Sequence, residues 1–239
     1  MHKLFVSPED ISGNTITVTG EDVEHLHALR MREGESIFIS DGEKTVYEAV
    51  LSQMRKNSAV FGIKSQKPFE NEPQTDITVC IALLKGGACE DVIKQSVELG
   101  ANRIIIFSSS NCIAKEREKD GKYYKTARQA AMQSGRDTVP KVLTGFSFDE
   151  MLEELKKAEI SLFFHEKATV HFYDVLDKNS LPRSVAFAVG PEGGFTDIEA
   201  KSAEENGIKV VSMGKRILRA VTAPLCALSV IAALYDRQR

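Results

Sequence analysis

The sequence predicts an α/β protein in which a mostly parallel sheet follows a smaller module of short strands. Three observations support this prediction. Up to about residue 66, short β-like runs alternate with turns; residues 67–75 are polar and contain two prolines; and beyond them compact apolar runs alternate with helical stretches. Buried strands that alternate with helices indicate a sheet covered on both faces, and a polar segment with prolines is typical of a linker.

The first module contains the runs "LFV", "TITV", "SIFIS", "TVYEAVLS" and "AVFGI". Asp41-Gly42 lies between two of them and predicts a β-hairpin, because both residues tolerate positive φ. One helix is predicted over residues 22–32, where Val23, Leu26 and Leu29 share a face. We expect a small barrel-like domain over residues 1–70 and a second domain over residues 74–239.

The second domain contains the strand-like runs "DITVCIALL", "RIIIF", "ISLFF", "SVAFAV" and "KVVSM", and predicted helices at about 88–99, 120–134, 147–158 and 197–206. Thr196 and Glu199 have the spacing of a capping box, so the last of these helices begins there. Thr222-Ala223-Pro224 predicts the start of another helix, which is apolar on nearly every face. Such a helix must be buried, and its own sheet and a partner chain are the surfaces that can cover it.

Composition places the chain among ordinary globular proteins, since 42% of its 239 residues are hydrophobic and 27% are charged. No apolar run approaches the roughly 20 residues of a membrane helix, and "MHKLFVSPED" lacks the order of a signal peptide. We therefore expect a cytoplasmic protein.

The four cysteines and five histidines show no metal-ligand spacing, so no metal site is predicted.

The net charge of -3 argues against indiscriminate coating of nucleic acid, but basic residues are unevenly distributed. They concentrate in residues 115–141 and again at Lys215, Arg216 and Arg219. A solvated helix face with its loops and a local RNA-binding surface both agree with this pattern.

The most informative segment is the turn Gly190-Pro191-Glu192-Gly193-Gly194, which comes directly after the apolar run that ends at Val189. In parallel sheets, ligands bind beyond the carboxyl ends of the strands, and glycines expose backbone N–H and C=O groups there. A tight connection without a ligand would use the same residues. The pattern matches neither G-x-G-x-x-G nor the G-K-[ST] of a phosphate-binding loop, which argues against a nucleoside triphosphate site.

A second segment, "SMGKRILRAVTAPLCAL" over residues 212–228, also runs from a strand end through glycine into a helix. Together the two segments resemble the SPOUT-class methyltransferases, and specifically the family of 16S ribosomal RNA uridine-N3 methyltransferases. "HLHALRMREGESI", "LLKGGACEDVIKQSVELGANRIIIF" and "ARQAAMQSGRDTVPKV" extend the resemblance over the whole chain. The resemblance implies a PUA-like RNA-binding β-barrel, a SPOUT domain with a C-terminal trefoil knot and a homodimer.

The resemblance also implies that S-adenosyl-L-methionine is the cofactor and that 16S rRNA or the 30S subunit is the partner. The expected cofactor-binding residues are Gly190, Pro191, Glu192, Gly193, Gly194, Met213, Gly214, Ile217, Leu218, Arg219, Thr222 and Ala223. Arg219 is the candidate cation that stabilises negative charge on the base or orients a phosphate, and Glu192 either accepts a proton or fixes backbone N–H groups. The candidate RNA-binding residues are Arg30, Arg32, Arg128 and Arg136.

Three positions differ from the family pattern. Val221 replaces a common glutamate, Gln95 a lysine and Asn111 an arginine, so each loses a charge near the expected RNA side of the pocket. Besides methylation of a uridine in the decoding region, two functions stay open: a SPOUT enzyme with another target nucleotide, and a non-catalytic RNA-binding or ribosome assembly protein.

Overall fold

The structure is a computed structural model that describes residues 3–114, 120–177 and 179–235. Its contacts divide the chain into two compact units, the first formed by Met1–Glu72 with Ala131–Val139 and the second by Pro73–Ala130 with Pro140–Arg239. The division after Glu72 falls within the predicted linker. The assignment of residues 131–139 to the first unit differs from the continuous second domain that the sequence predicts.

The described part of the first unit contains a six-stranded sheet and the helix Glu21–Ala28, together with residues 131–139. Its elements are β1 (Lys3–Phe5), a 3-10 turn (Pro8–Asp10), β2 (Ile11–Ser12), β3 (Thr15–Thr19), α1 (Glu21–Ala28), β4 (Ser36–Ser40), β5 (Thr45–Met54) and β6 (Ser58–Pro68). The strand order is β1-β4-β5-β6-β3-β2, with β1 parallel to β4 and the other pairs antiparallel. Two register shifts between β5 and β6 are irregularities of the kind that bend strands, and the sheet curls into a PUA-like half-barrel.

The hairpin predicted at Asp41-Gly42 is confirmed, because β4 and β5 pair in antiparallel register on either side of it. The Asp41 carboxylate accepts the backbone N–H groups of Glu43, Lys44 and Thr45, each at 2.9 Å. The aspartate side chain thus satisfies the donors that the turn leaves unpaired, which is why aspartate favours such turns.

Helix α1 is shorter than the predicted 22–32, because the chain leaves the helix after Ala28. Arg30 adopts a left-handed conformation with φ of 55°. Its N–H donates to the carbonyl of His27 at 3.0 Å, and the N–H of Met31 donates to the carbonyl of Leu26 at 3.2 Å. These two bonds form a Schellman motif, which normally has glycine at the position of Arg30. The sequence has no glycine to mark this helix end.

The second unit contains a fully parallel six-stranded sheet with strand order β12-β10-β11-β7-β8-β9. Its strands are β7 (Asp76–Ala82), β8 (Arg103–Phe107), β9 (Lys141–Phe146), β10 (Ile160–Phe164), β11 (Ser184–Val189) and β12 (Lys209–Val211). Its helices are α2 (Ala88–Glu98), α3 (Asp120–Ser134), α4 (Phe148–Lys156), α5 (Phe172–Val175), α6 (Asp197–Glu205) and α7 (Ala223–Tyr235). The end of α3 belongs to the first unit.

Helices cover both faces of this sheet, as the apolar strands require. Cys80 and Phe163 point into a core that α4 and α6 close with residues such as Leu155 and Ala203. Alternate strand residues point the other way and are also buried, as Val79 shows. Helix α7 packs against β7, β11 and α2 and covers that second face.

Helix α7 is only partly covered, although its composition predicts burial all round. Ala227, Leu228 and Ile231 are buried, whereas Leu225 and Val230 are half-buried. Within the described part of the chain, no helix combines the length and apolar character needed to cross a bilayer.

Candidate functional site

A cavity of about 800 Å³ lies beyond the carboxyl ends of β10, β11 and β12. Each of these strands leads into a segment that lines it. The lining residues are Phe164, His165, Glu166, Val189, Gly190, Pro191, Glu192, Gly193, Gly194, Phe195, Met213, Gly214, Lys215, Arg216, Ile217, Leu218, Arg219, Ala220, Val221 and Ala223. The structure thus brings together all the predicted cofactor-binding residues except Thr222, which is not among the lining residues.

The glycine turn after β11 leaves little room for a side chain at position 190. A Cβ atom at Gly190 would lie 3.1 Å from both the ring and the backbone nitrogen of Phe195, and 3.2 Å from the carbonyl carbon of Gly194. Gly194 has φ of 66°, and its N–H donates to the carbonyl of Pro191 at 2.9 Å. The turn folds back on itself, and glycine is required for close backbone approach at position 190 and for positive φ at position 194.

Loops at the ends of the neighbouring strands hold this turn from outside. The backbone N–H of Lys85, beyond β7, donates to the Glu192 carboxylate at 3.1 Å. The side-chain amide of Asn111, beyond β8, donates to the carbonyls of Gly193 and Gly194. The turn is therefore fixed by the two adjacent strand-end loops as well as by its own hydrogen bond.

The capping box predicted for α6 is confirmed. The Glu199 N–H donates to the Thr196 hydroxyl at 3.2 Å, and the Thr196 N–H donates to the Glu199 carboxylate at 2.8 Å. The other carboxylate oxygen of Glu199 accepts the N–H of Ser110 at 2.9 Å. Helix α6 thus begins at a fixed point directly after the glycine turn.

The second lining segment runs from Ser212 to the start of α7. Gly214 has φ of 100°, and its N–H donates to the Ser212 hydroxyl at 2.9 Å. The carbonyl of Arg219 accepts the N–H groups of Thr222 and Ala223 at 2.8 and 2.9 Å. The main chain of Arg219 thereby begins the helix, while its side chain is exposed at the cavity and forms no ion pair within the described residues.

Comparison with known proteins identifies this arrangement. Residues 70–232 match the model of an RNA methyltransferase domain, and residues 18–64 match an RNA methyltransferase PUA domain. The chain belongs to the RNA methyltransferase family. The match to the methyltransferase domain includes every residue that lines the cavity.

Relatives in this RNA methyltransferase family match along almost the whole chain. A ribosomal RNA small subunit methyltransferase E from Synechocystis is 32% identical over 98% of this chain and 78% of its own, and that of Bacillus subtilis is 29% identical over 91% and 89%. The crystal structure of the Neisseria gonorrhoeae protein of that name, bound to S-adenosyl methionine, has a TM-score of 0.90 at 32% identity and covers 100% of both chains. A Legionella pneumophila protein in complex with the same cofactor has a TM-score of 0.87 at 27% identity, covering 97% of this chain and 96% of its own.

The cavity lining includes titratable groups that the sequence analysis did not predict as site residues, among them His165 and Glu166. His165, directly after β10, has a side chain only 7% exposed, and its Nε2 atom lies 3.7 Å from Asp197 without a hydrogen-bond partner. Lys167 donates to both Asp197 oxygens at 2.7 and 2.8 Å. This bond lowers the pKa of Asp197 and raises that of Lys167. No local motif predicts that His165 lines the cavity, because it reaches the cavity only through the position of β10 between β11 and β12.

The four candidate RNA-binding arginines have different surroundings. Arg30 and Arg32 are exposed, and Arg128 is half-buried on α3. The prediction for Arg136 is wrong, because its side chain is buried and its guanidinium is paired through two nitrogens with the Glu72 carboxylate. A phosphate would have to displace the Glu72 carboxylate to reach it. Among the described residues, no histidine, cysteine, aspartate or glutamate cluster could hold a metal ion.

Proposed function

We propose that the protein transfers a methyl group from S-adenosyl-L-methionine to N3 of a uridine in the decoding region of 16S rRNA. The observation that carries the proposal is the cavity at the carboxyl ends of parallel strands, which is lined by the glycine-rich turn Gly190–Gly194 and by residues 213–221. It is supported by relatives named for methylation of small subunit ribosomal RNA and by a similar structure bound to S-adenosyl methionine. Its substrate would place the enzyme in the cytoplasm.

The residues of the cavity fit such a cofactor. A volume of about 800 Å³ lies within the range of about 300–1,000 Å³ of small-molecule sites, and Val189, Met213 and Leu218 supply apolar contacts. A side chain at position 190 would press against Phe195 and Gly194 and so displace the turn that lines the cavity. When bound, S-adenosyl methionine supplies a methyl group on a sulfonium sulfur, which reacts with a nucleophile in line. The chain's main task is to hold the reacting groups in that alignment.

The uracil N3 proton must leave before or during methylation, so the protein must accept the proton or stabilise the resulting anion. Arg219 is our candidate for the second task, and the proposal is supported by its exposure, its position in the cavity lining and the absence of an ion pair to it among the described residues. For Glu192, the hydrogen bond from the Lys85 N–H favours a role in fixing the turn.

RNA would contact exposed cations through its phosphates, which position the substrate without reading its sequence. Arg30 and Arg32 on the first unit and Arg128 on α3 remain the candidates. Arg30 stands out because it occupies a left-handed position where glycine would cost less. A strained arginine on an exposed helix end supports a role in binding.

A homodimer would cover the uncovered side of α7. Leu225 and Val230 leave apolar surface on this helix half-exposed. We expect light scattering to give twice the mass of one chain, and Val230→Glu to give the mass of one chain because it places a charge in the apolar contact. A wild-type protein of single-chain mass would contradict the dimer.

The test of the function has two stages. Calorimetry with S-adenosyl methionine measures cofactor binding, and radiolabelled cofactor is then incubated with 30S subunits from a strain that lacks the modification. We expect binding, and label at N3 of one uridine after nuclease digestion and mass spectrometry. Label at another base would instead indicate a different target nucleotide, and binding without label would indicate a non-catalytic RNA-binding or assembly protein.

A further inference from the structure

The loop beyond β8 contacts the cofactor turn through one side chain. The Nδ2 atom of Asn111 donates to the carbonyl of Gly193 at 3.2 Å and to the carbonyl of Gly194 at 3.1 Å. Two carbonyl oxygens face the same atom of the side-chain amide, and only the NH₂ end can donate to both. The orientation of the amide is therefore determined by its neighbours.

Asn111 also limits the space beside the turn. A Cβ atom at Gly193 would lie 3.1 Å from Cβ of Asn111 and 3.6 Å from its Cγ. The asparagine thus packs directly on the glycine as well as bonding to two successive carbonyls of the turn. A larger residue at position 193 would therefore displace Asn111.

The position of Asn111 is itself fixed by its neighbours in the loop. The Ser110 N–H donates to the Glu199 carboxylate at 2.9 Å, which joins the loop to the start of α6. The N–H of Cys112 donates to the carbonyl of Ser109 at 3.0 Å and closes a turn around Asn111. The loop is therefore attached to both ends of the segment 193–199, and Asn111 approaches the turn from a defined direction.

We propose that Asn111 is a positioning residue that sets the peptide orientations of the cofactor turn. Because a peptide group is planar and trans, fixing the carbonyls of Gly193 and Gly194 also fixes the directions of the next N–H groups. Glycines otherwise allow several orientations, and the turn has a single internal backbone bond, from Gly194 to Pro191, among those of the described residues. When the turn already holds one orientation, less conformational entropy is lost on ligand binding, and the affinity is higher. This inference rests on the proposed function, because it takes S-adenosyl-L-methionine as the ligand of the turn.

The test compares Asn111→Ala and Asn111→Asp with wild type by calorimetry with S-adenosyl methionine. Alanine removes the donor, and aspartate keeps the shape but places a carboxylate oxygen against two carbonyl oxygens. We expect Kd to rise roughly tenfold for alanine, as the loss of one or two neutral hydrogen bonds predicts, and further for aspartate. Asn179→Ala, at an exposed position with no contact to the cavity lining, is the matched control and should bind as wild type does.

Two further measurements separate positioning from general destabilisation. In the absence of cofactor, hydrogen exchange in peptides covering residues 190–196 should accelerate in Asn111→Ala while exchange in α4 stays unchanged. In turnover, the KM for S-adenosyl methionine should rise with kcat recovered at saturating cofactor. A Kd for Asn111→Ala within twofold of wild type would overturn the proposal for Asn111 alone, whereas a wild-type protein without cofactor binding would overturn the proposed function.

Discussion

At the scale of single residues, the role proposed for Arg219 is the part of the chemistry that one substitution tests most directly. We expect Arg219→Ala to lower kcat by roughly a hundredfold or more, because a positioned cation that stabilises developing charge contributes about that much to catalysis. Cofactor Kd should change only a few-fold, since the main chain of Arg219 and not its side chain begins α7. Methyl incorporation into 30S subunits measures the first quantity and calorimetry the second.

Arg183→Ala is the control for that experiment. Its side chain is 94% exposed and its contact with Glu159 is 3.7 Å long, so we expect wild-type turnover. Turnover of Arg219→Ala within a few-fold of wild type would remove Arg219 from the mechanism and leave only its backbone role.

Gly190→Ala tests whether cofactor binding requires the close backbone packing within the turn. The added methyl group would meet the Phe195 backbone nitrogen at 3.1 Å and the Gly194 carbonyl carbon at 3.2 Å, and neither atom can move without the turn. We expect loss of detectable binding of S-adenosyl methionine by calorimetry. Gly121→Ala, on α3 with open space around it, should bind normally and gain slightly in stability. Normal binding by Gly190→Ala would mean that the cavity tolerates a displaced turn.

At the scale of secondary structure elements, the start of α6 connects the sheet to the site. Glu199 is buried, completes the capping box and accepts the Ser110 N–H. We expect Glu199→Ala to lower the free energy of unfolding by about 2 kcal/mol, because it removes a cap and leaves the partly buried N–H groups of Ser110 and Thr196 without their acceptor. Urea denaturation measures the loss.

The matched variant for Glu199 is Glu150→Ala in the capping box of α4. Glu150 makes the same contacts with Ser147 but is exposed and accepts no bond from another loop. We expect a clearly smaller loss of stability than for Glu199→Ala. Equal losses in the two variants would show that the bond from Ser110 contributes nothing.

Elements with a complete local signal can be predicted from the sequence, and elements without one cannot. The capping box at Thr196 and the hairpin at Asp41-Gly42 are both predictable, because the residues that make the hydrogen bonds lie within four positions of each other. The sequence pattern places the end of α1 too late, because an arginine occupies the left-handed position that glycine usually marks. A helix end of this kind depends on the tertiary contacts of the next segment, which no local pattern contains.

The same limit applies to the site. Two of the three segments that line the cavity are predictable, because residues 190–194 and 212–222 each contain glycine and resemble a family motif. His165 and the supporting contact of Asn111 are not, since they depend on which strands are neighbours in the sheet. Arg136 is wrongly predicted to bind RNA because its carboxylate partner, Glu72, lies 64 positions away in the sequence.

At the scale of the whole molecule, residues 131–139 are attached to the first unit by buried charges. The Asp137 carboxylate is paired with Lys3 and accepts the N–H groups of Glu70 and Asn71, each at 2.7 Å. Both side chains of the pair are almost fully buried. Removing one partner of such a pair leaves a buried charge without compensation, which costs about 3–5 kcal/mol. We therefore expect Asp137→Ala to unfold the first unit at much lower urea concentration than wild type.

Lowering the pH should cause part of the same loss of stability in the wild-type protein. Burial alone would raise the pKa of Asp137, but the hydrogen bonds from Lys3, Asn71 and Glu70 outweigh it and lower the pKa below the ordinary 3.8. A carboxyl whose folded pKa is lowered contributes stability that is fully present well above its ordinary pKa and is lost as the pH falls through the folded value. The free energy of unfolding, measured by urea denaturation, should thus decline below about pH 4 in wild type and decline less steeply in Asp137→Asn. Parallel pH profiles would show that Asp137 has the same pKa in the folded and unfolded chains, and the attachment of residues 131–139 would then depend on Arg136 and Glu72.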